Sequence, residues 1–335
     1  KEDNLLDVTL GDWQIVTARQ TFRPKLLTLH AQSDQDTTRV SLHAGDLGIS
    51  LTGGAGLNRM IDNLTQMSKD ADRQLKQDST LDLNALRPLY PDMHLEITAG
   101  RDNPIYNYLQ SYYVEFNDIS LNAHTSPETG LRLNGGIYGL TRDTFRLDTI
   151  RALVWQDSLG LRYRADVVKS PYRRQAPFSA GVEGMLRYEY ADARLYFKNG
   201  DGETGLWLGA RVNKIPGGMR VTLFPDDPIL AFRTFKLNPD NYIEIKGMKD
   251  ISADLRLSGP DNASLWVHSA PEGRNNSEVH VELNQINLGV ISNAVSYIPP
   301  MSGRLNADFQ YAPTDSSFMV VADVNVDSLY YENDR

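Results

Sequence analysis

The six histidines are the first candidates for chemistry, because histidine both ligates metals and transfers protons near neutral pH. They are His30, His43, His94, His124, His268 and His280. None belongs to a His-x-His pair or to the HExxH pattern that binds zinc from one helix face. His94 and Glu96 would share one face of a strand, and we interpret them as a solvated pair. The histidines therefore predict no metal site.

Nucleophilic residues give no recognisable catalytic pattern either. The chain has no cysteine, which excludes disulfide scaffolds, iron–sulfur clusters, thiolate zinc sites and cysteine nucleophiles. The Gly-x-Ser-x-Gly elbow of hydrolases is also missing. Gly53-Gly54-Ala55-Gly56 precedes a helix like a phosphate loop, but it lacks the following Gly-Lys-Ser/Thr. We interpret it as a flexible joint, and we expect no cofactor and no enzyme activity.

Carboxylate pairs keep one enzymatic alternative open, since glycosidases need two acids a few ångströms apart. Asp226 and Asp227 stand between two prolines in a turn-like segment, and Asp34 and Asp36 lie in a polar loop. The sequence cannot join distant acids into one site. A β-rich glycoside hydrolase therefore remains an alternative.

Tyrosines favour a second alternative. The chain has 16 tyrosines, and they form one cluster at Tyr106, Tyr108, Tyr112 and Tyr113 and another at Tyr188, Tyr190 and Tyr196. Tyrosine combines a flat apolar ring with a polar tip, which suits sugar stacking and a lipid–water boundary equally well. The clusters are also compatible with half-buried strand positions. A secreted carbohydrate-binding or adhesive β-sandwich module is the alternative that they support.

Alternation with a period of two residues dominates the elements that must position these side chains. Between residues 159 and 167 the apolar residues occupy every second place, and the segments 305–311 and 320–326 repeat this pattern. Strands that bury one face only are typical of antiparallel sheets. The sequence therefore predicts an all-β, mainly antiparallel fold.

Three segments depart from this pattern. Apolar residues at steps of three and four predict one amphipathic helix at about residues 56–76. Shorter helices are predicted from Pro104 to Tyr112 and from Leu288 to Tyr297, the second ended by two prolines. These helices are long enough to flank a sheet but not to form a helical domain.

Composition limits the class of protein and its partners. With 34 basic and 43 acidic residues the net charge is −9, which argues against nucleic-acid binding. The longest apolar run has five residues, against the ~20 that span a membrane. The chain begins with Lys1 and shows no signal-peptide core, so we expect a mature or excised piece. Residues 170–181 are the best candidate break, which predicts a β-rich region at 1–170 and a second at 171–335.

The segment from Val279 to Tyr311 carries a family resemblance. A strand ends at Asn284, a short apolar helix follows, and after Pro-Pro and Ser-Gly an alternating strand opens with Gly303-Arg304-Leu305-Asn306. This succession resembles the TamB and AsmA-like bacterial envelope proteins. The segments 116–123 and 249–255 are similar in style, and the last residues look like an incomplete further unit.

The resemblance implies a location, partners and a function. Members of the family are anchored in the inner membrane and cross the periplasm as an elongated, folded-over β-sheet with an apolar groove. They are implicated in phospholipid transfer to the outer membrane and in the assembly of outer-membrane proteins. We therefore expect a non-catalytic periplasmic segment whose partner is the acyl chains of phospholipids. The family also implies an outer-membrane β-barrel assembly protein as a protein partner.

A specific set of strand residues should face the groove. The candidates are Leu255, Leu257, Leu265, Val267, Val281, Leu283, Leu305, Ala307, Phe309, Val320, Val324 and Val326. The same alternation would also suit a closed sandwich core. Arginine at Leu257 and Leu283 should block lipid loading of an open groove and unfold a closed core.

Overall fold

The computed structural model describes residues 4–16, 21–23, 26–78, 80–172, 175–246, 250–269, 278–294, 301–313 and 317–331. The chain divides into two compact units, Lys1–Tyr188 and Glu189–Arg335, called unit 1 and unit 2. The break expected at residues 170–181 comes before this boundary, because the strands on its two sides pair with each other inside unit 1.

The described residues of unit 1 form thirteen strands and three helices. The strands are β1 (Asn4–Leu10), β2 (Ile15–Val16), β3 (Thr21–Phe22), β4 (Leu27–Ser33), β5 (Thr38–Ala44), β6 (Leu47–Gly53), β7 (Met93–Ala99), β8 (Val114–Glu115), β9 (Asp118–Ser126), β10 (Gly130–Arg142), β11 (Phe145–Asp157), β12 (Gly160–Lys169) and β13 (Phe178–Leu186). The helices are α1 (Leu57–Asp78), α2 (Leu83–Leu86) and α3 (Pro104–Gln110), and a 3₁₀ turn covers Arg87–Leu89.

The main sheet of unit 1 is antiparallel throughout. Its strand order is β1-β4-β5-β6-β7-β9-β10-β11-β12-β13. Strand β8 pairs with the end of β10, and β2 and β3 form a separate small hairpin. Helices α1 and α2 lie in the connection from β6 to β7, and α3 lies in the connection from β7 to β9.

Unit 2 contains eleven strands and one helix within the part of the chain that the structure describes. The strands are β14 (Tyr190–Asn199), β15 (Thr204–Ile215), β16 (Gly218–Leu230), β17 (Arg233–Thr234), β18 (Lys236–Leu237), β19 (Tyr242–Ile245), β20 (Ile251–Ser258), β21 (Ser264–Ser269), β22 (Val279–Asn287), β23 (Met301–Pro313) and β24 (Phe318–Tyr331). The helix is α4 (Leu288–Ala294), and a 3₁₀ turn covers Pro260–Asn262.

The sheet of unit 2 is also antiparallel. Its strand order is β14-β15-β16-β19-β20-β21-β22-β23-β24. The short strands β17 and β18 pair with β16 and β20. Helix α4 packs against β23, where the Ser292 hydroxyl contacts the Met301 carbonyl oxygen at 3.1 Å and the Met301 amide nitrogen at 3.3 Å.

The prediction of an all-β, mainly antiparallel fold with one amphipathic helix and short additional helices is confirmed. The long helix covers Leu57–Asp78, against about 56–76 predicted. The second covers Pro104–Gln110 and ends before the predicted Tyr112. The third is described as Leu288–Ala294, and its predicted end at Tyr297 lies outside the described residues. Among the described residues no helix is long and apolar enough to cross a membrane.

Candidate functional site: an apolar face on each sheet

All twelve candidate groove residues lie on one face of the unit 2 sheet. Residues directly opposite each other in antiparallel strands point to the same side. One cross-strand row runs Leu255, Val267, Val281, Phe309, Ala322. The next runs Leu257, Leu265, Leu283, Ala307, Val324. Leu305 opposite Val326, and Tyr311 opposite Val320, continue the face on either side.

The exposure of these side chains changes across the sheet. Leu255 and Leu257 in β20 are almost completely buried, at 3% and 2% exposed, and Ala307 is also buried. The middle candidates are half-buried: Leu265, Val267, Val281, Leu283, Leu305 and Val326. Phe309 in β23 and Val320 and Val324 in β24 are exposed. The face is therefore covered at β20 and open at β24.

The apolar face of unit 2 extends beyond the twelve candidates. A row through β14, β15 and β16 contains Ala193, Ala210 and Leu223. A second runs from Ala191 through Val212, Val221 and Ile243 to Ala253. Sequence reasoning missed these residues, although strict alternation in β14 and β15 was a usable signal. We call this whole face the unit 2 floor.

The opposite face of unit 2 is polar. Arg211 pairs with Asp192 at 2.9 Å, and its guanidinium carbon lies 4.6 Å from the centre of the Tyr190 ring. Arg220 pairs with Glu244 at 3.4 Å and lies 4.6 Å from the Tyr242 ring. A guanidinium group over an aromatic ring gains a cation–π interaction while its charge remains near water. Charged side chains therefore line this face, whereas apolar side chains line the floor.

The sheet of unit 1 also has one apolar face and one polar face. One apolar row runs Val8, Leu29, Leu42, Ile49, Ile97, Leu121, Gly135, Ala152, Ala165, Val182. A second runs Leu6, Ala31, Val40, Leu51, Leu95, Ala123, Leu133, Val154, Tyr163, Gly184. We call this face the unit 1 floor. From β4 to β13 the residues of both rows are half-buried.

Helix α3 covers one margin of the unit 1 floor. Tyr106 of α3 and Phe116 are buried, with their rings edge-to-face at 5.2 Å between centres. They form a core cluster with Ala44, Leu47 and Ala99 at the ends of their strands, and Ile49 and Ile97 pack against it. This cluster is a small closed core at the strand ends.

A hydrogen-bonded loop holds α3 in place. Asn103 is buried and caps the helix by accepting from the Tyr106 amide at 2.8 Å. Its amide nitrogen donates to Asp46 Oδ1 at 2.7 Å, and the Asp102 amide donates to Asp46 Oδ2 at 3.0 Å. Gly45 has a φ of +67°, and a Cβ there would lie 1.8 Å from the Asp102 carbonyl oxygen. Only glycine permits this approach.

The hydrogen bonds of this loop change the pKa of the Asp46 carboxyl group. Burial raises its pKa, but hydrogen bonds from Asn103 and from the backbone amides of Asp102, Gly100 and Arg101 outweigh that effect. The pKa of Asp46 is therefore held below its ordinary value. The loop is built around an ionised carboxylate.

Helix α1 buries only part of its apolar stripe. Met60 is 3% exposed and lies against Gly53, whereas Ile61 is 50% and Leu75 51% exposed. Gly53-Gly54-Ala55-Gly56 forms the turn from β6 into this helix, as predicted for a joint. The glycines approach their neighbours closely, since a Cβ on Gly56 would lie 2.3 Å from the Asp34 carbonyl oxygen.

Several other residues singled out for chemistry make local structural contacts. His94 and His124 lie 6.4 Å apart between ring centres on the polar face of unit 1. Asp34 Oδ1 accepts from the Asp36 and Thr37 amides, and Asp227 pairs with Lys236. No group of three or more potential metal ligands occurs among the described residues.

The first tyrosine cluster splits into a buried and an exposed part. Tyr106 belongs to the core cluster, whereas Tyr108, Tyr112 and Tyr113 are 50%, 54% and 61% exposed. The Tyr108 and Tyr112 rings lie 5.3 Å apart at 60°. A hydrogen bond with Tyr112 raises the pKa of the Tyr108 hydroxyl. These rings are the most exposed aromatic group of α3 and its following turn.

The chain has no match among protein-family models, curated proteins or solved structures. The two floors are therefore interpreted from their own geometry.

Proposed function

We propose that the two floors bind the acyl chains of phospholipids and that the protein is a non-catalytic lipid-carrying segment. In this proposal it belongs to the TamB/AsmA-like envelope proteins and lies in the periplasm. A parent protein anchored in the inner membrane moves lipid towards the outer membrane and supports the assembly of outer-membrane proteins.

The half-exposed state of the floors is the observation that supports the proposal best. A second layer of protein packed on an apolar sheet face buries its side chains, as in a sandwich core. In the described part of the chain only fifteen hydrophobic residues are buried, and most of the floor residues are not among them. Apolar area that the protein leaves partly uncovered is available to a guest.

Acyl chains match this surface in chemistry and in energy. Each methylene group moved from water onto an apolar surface gains about 0.8 kcal/mol. An acyl chain lying along a cross-strand row meets mainly hydrocarbon side chains, and its phosphate stays in water. Such binding needs no catalytic residue.

The order of elements supports the family part of the proposal. In unit 1 the seven-residue helix α3 stands between β7 and β9, and in unit 2 the seven-residue helix α4 stands between β22 and β23. Both segments carry the strand–helix–strand succession on which the resemblance depends. An outer-membrane β-barrel assembly protein is the corresponding protein partner.

Mass spectrometry of lipids extracted from the purified protein tests the function. We expect glycerophospholipid in the wild-type extract and a strong loss in Leu283→Arg, where a charge replaces a half-buried floor side chain. The matched control is Asn284→Arg, the exposed next residue on the opposite face. Leu257→Arg is unsuitable, because Leu257 is 2% exposed and a charge there unfolds the strand. Equal lipid in both variants, or none in the wild type, would refute the proposal.

The exposed tyrosines favour one second candidate, glycan binding at Tyr108 and Tyr112. Aromatic rings on a polar surface stack on sugars. Retention on a glycan array that is lost in Tyr108→Ser would support it, and absence of retention would leave lipid carriage as the better account.

A further inference from the structure

Lys169 is the only charged residue among the buried residues that the structure describes, with 5% of its surface exposed. Its ammonium group donates one hydrogen bond, to the Ala176 carbonyl oxygen at 3.2 Å, and no ion pair to it occurs in the described parts of the chain. The centres of the Phe145 and Phe178 rings lie 5.4 and 5.9 Å from Lys169 Nζ. Lysine is almost never fully buried without a partner of opposite charge. The burial of Lys169 therefore requires an anion that these neighbours do not supply.

Lys169 stands at one end of the unit 1 floor. It follows Val167 by two residues in β12, so both side chains belong to the floor side of the strand. A further cross-strand row of the floor runs Ile119, Ile137, Ile150, Val167, Ala180. Strand β12 pairs with β11 on one side and with β13 on the other. Lys169 therefore lies in the interior of the sheet and not at an edge.

A second cation with an unpaired donor lies on the neighbouring strand β11. Arg146 pairs with Asp148 at 3.2 Å, but its Nε atom is buried and has no hydrogen-bond partner among the described residues. Asp148 also accepts from the backbone amide of Ser170, the residue after Lys169. That hydrogen bond is the main cause of the lowered pKa of Asp148, and Arg146 lowers this pKa further, whereas burial raises it. Asp148 is therefore ionised and already bound by Ser170 and Arg146.

The charges of these three side chains do not cancel. Lys169 and Arg146 are cationic and Asp148 is anionic, so together they carry one net positive charge beside an apolar face. Lysine and arginine bind phosphate oxygens through charge-assisted hydrogen bonds. The phosphodiester group of a glycerophospholipid carries a single negative charge and is joined to acyl chains. A lipid phosphate therefore matches both the charge of this group and its place at the end of the floor.

We propose that Lys169 and Arg146 bind the phosphate group of a phospholipid whose acyl chains lie on the unit 1 floor. This inference rests on the proposed function and refines it, because at this end of the floor the phosphate contacts protein groups and not water alone. Lys169 Nζ and Arg146 Nε donate hydrogen bonds to the phosphate oxygens, and the acyl chains extend from there along the floor rows. Inorganic phosphate offers the same oxygens without acyl chains, so the test must separate the two sources.

Calorimetric titration of the whole chain with three ligands tests the proposal. The ligands are dihexanoylphosphatidylglycerol, dihexanoylglycerol, which has the same acyl chains but no phosphate, and inorganic phosphate. We expect the phospholipid to bind about ten- to a hundredfold more tightly than dihexanoylglycerol, because it adds charge-assisted hydrogen bonds. Equal affinities of the two lipids would overturn this inference and leave acyl-chain binding intact, whereas binding of neither lipid would refute the proposed function as well. Tighter binding of inorganic phosphate than of the phospholipid would show an anion site without a lipid and would also overturn the inference.

Two variants identify the binding groups. Lys169→Met should fold, since replacing a buried charge by an apolar side chain of similar volume is often neutral or stabilising, and its affinity for the phospholipid should fall by about tenfold or more. Arg146→Lys keeps the charge but removes the buried Nε donor, and it should weaken the same binding by about two- to tenfold. Lys69→Met, with the same change of charge on the exposed side of helix α1, is the control and should keep the wild-type affinity. Wild-type phospholipid affinity in both Lys169→Met and Arg146→Lys overturns the proposal, as does an equal loss in Lys69→Met.

Discussion

Gln156 shows how a single polar residue joins elements of unit 1. It is 3% exposed, and its amide nitrogen donates to the Leu83 carbonyl at 3.1 Å and to Asn84 Oδ1 at 2.9 Å. Its amide oxygen accepts from the Leu131 backbone at 3.3 Å. The residue thereby connects α2 with two strands of the sheet.

Replacing Gln156 by leucine should destabilise the protein by about 1–3 kcal/mol, because the Leu131 amide and the Leu83 carbonyl lose their partner in a buried site. Urea unfolding measures the change. Gln66→Leu on the exposed side of α1 is the control and should change the free energy of unfolding by less than about 0.5 kcal/mol. Similar values for both variants would contradict this role of Gln156.

Asp46 gives a prediction about pH. Because its folded-state pKa is lowered, its stabilising contribution is present above the unfolded pKa and is lost as the pH falls through the folded pKa. Asp46→Asn should therefore be less stable than the wild type at neutral pH, and the difference should shrink on acidification below about pH 4. Unfolding curves recorded across that range measure it. A difference that does not depend on pH would contradict the argument.

At the scale of elements, α1 illustrates what an amphipathic pattern predicts and what it leaves open. Steps of three and four residues predicted the helix and its apolar stripe correctly. The pattern does not predict which residues of the stripe contact the sheet. Met60 makes that contact, whereas Ile61 next to it is half exposed.

Met60→Ala should cost about 2–5 kcal/mol in stability, since it leaves a cavity against the Gly53 turn. Ile61→Ala should lower the free energy of unfolding by less than about 0.5 kcal/mol, apart from the small effect of the substitution on helix propensity. Thermal or urea unfolding of the two single variants separates them. Equal losses would mean that the whole stripe is covered in solution.

Strand positions were predictable to a similar extent. Alternation identified the apolar faces of β12, β20, β23 and β24 because a half-buried strand must separate its two kinds of side chain. It could not give the register that places Leu257 beside Leu265 and Leu283, since register depends on turns and bulges. The rest of the unit 1 floor, beyond β12, was missed because small residues such as Gly135 and Ala152 interrupt its rows of larger apolar side chains.

At the scale of the whole molecule, the main feature is that the apolar floors of both units are only partly covered by protein. Both units line up apolar side chains in cross-strand rows, and neither buries most of them under a second layer. Within unit 2 the burial changes from β20 to β24, so a guest should lie nearer the exposed strands. Lipid contacts should accordingly be strongest at Val281, Leu283 and Phe309 and weakest at Leu255.

Photo-crosslinking is the measurement that tests the central claim most directly. A photoreactive amino acid is placed at Leu283 on the floor and, as a matched control, at Glu282 on the polar face of the same strand. In cells or with lipid vesicles, phospholipid adducts should form at residue 283 and not at residue 282. Adducts at neither residue in a folded protein, or at both residues equally, would contradict the account.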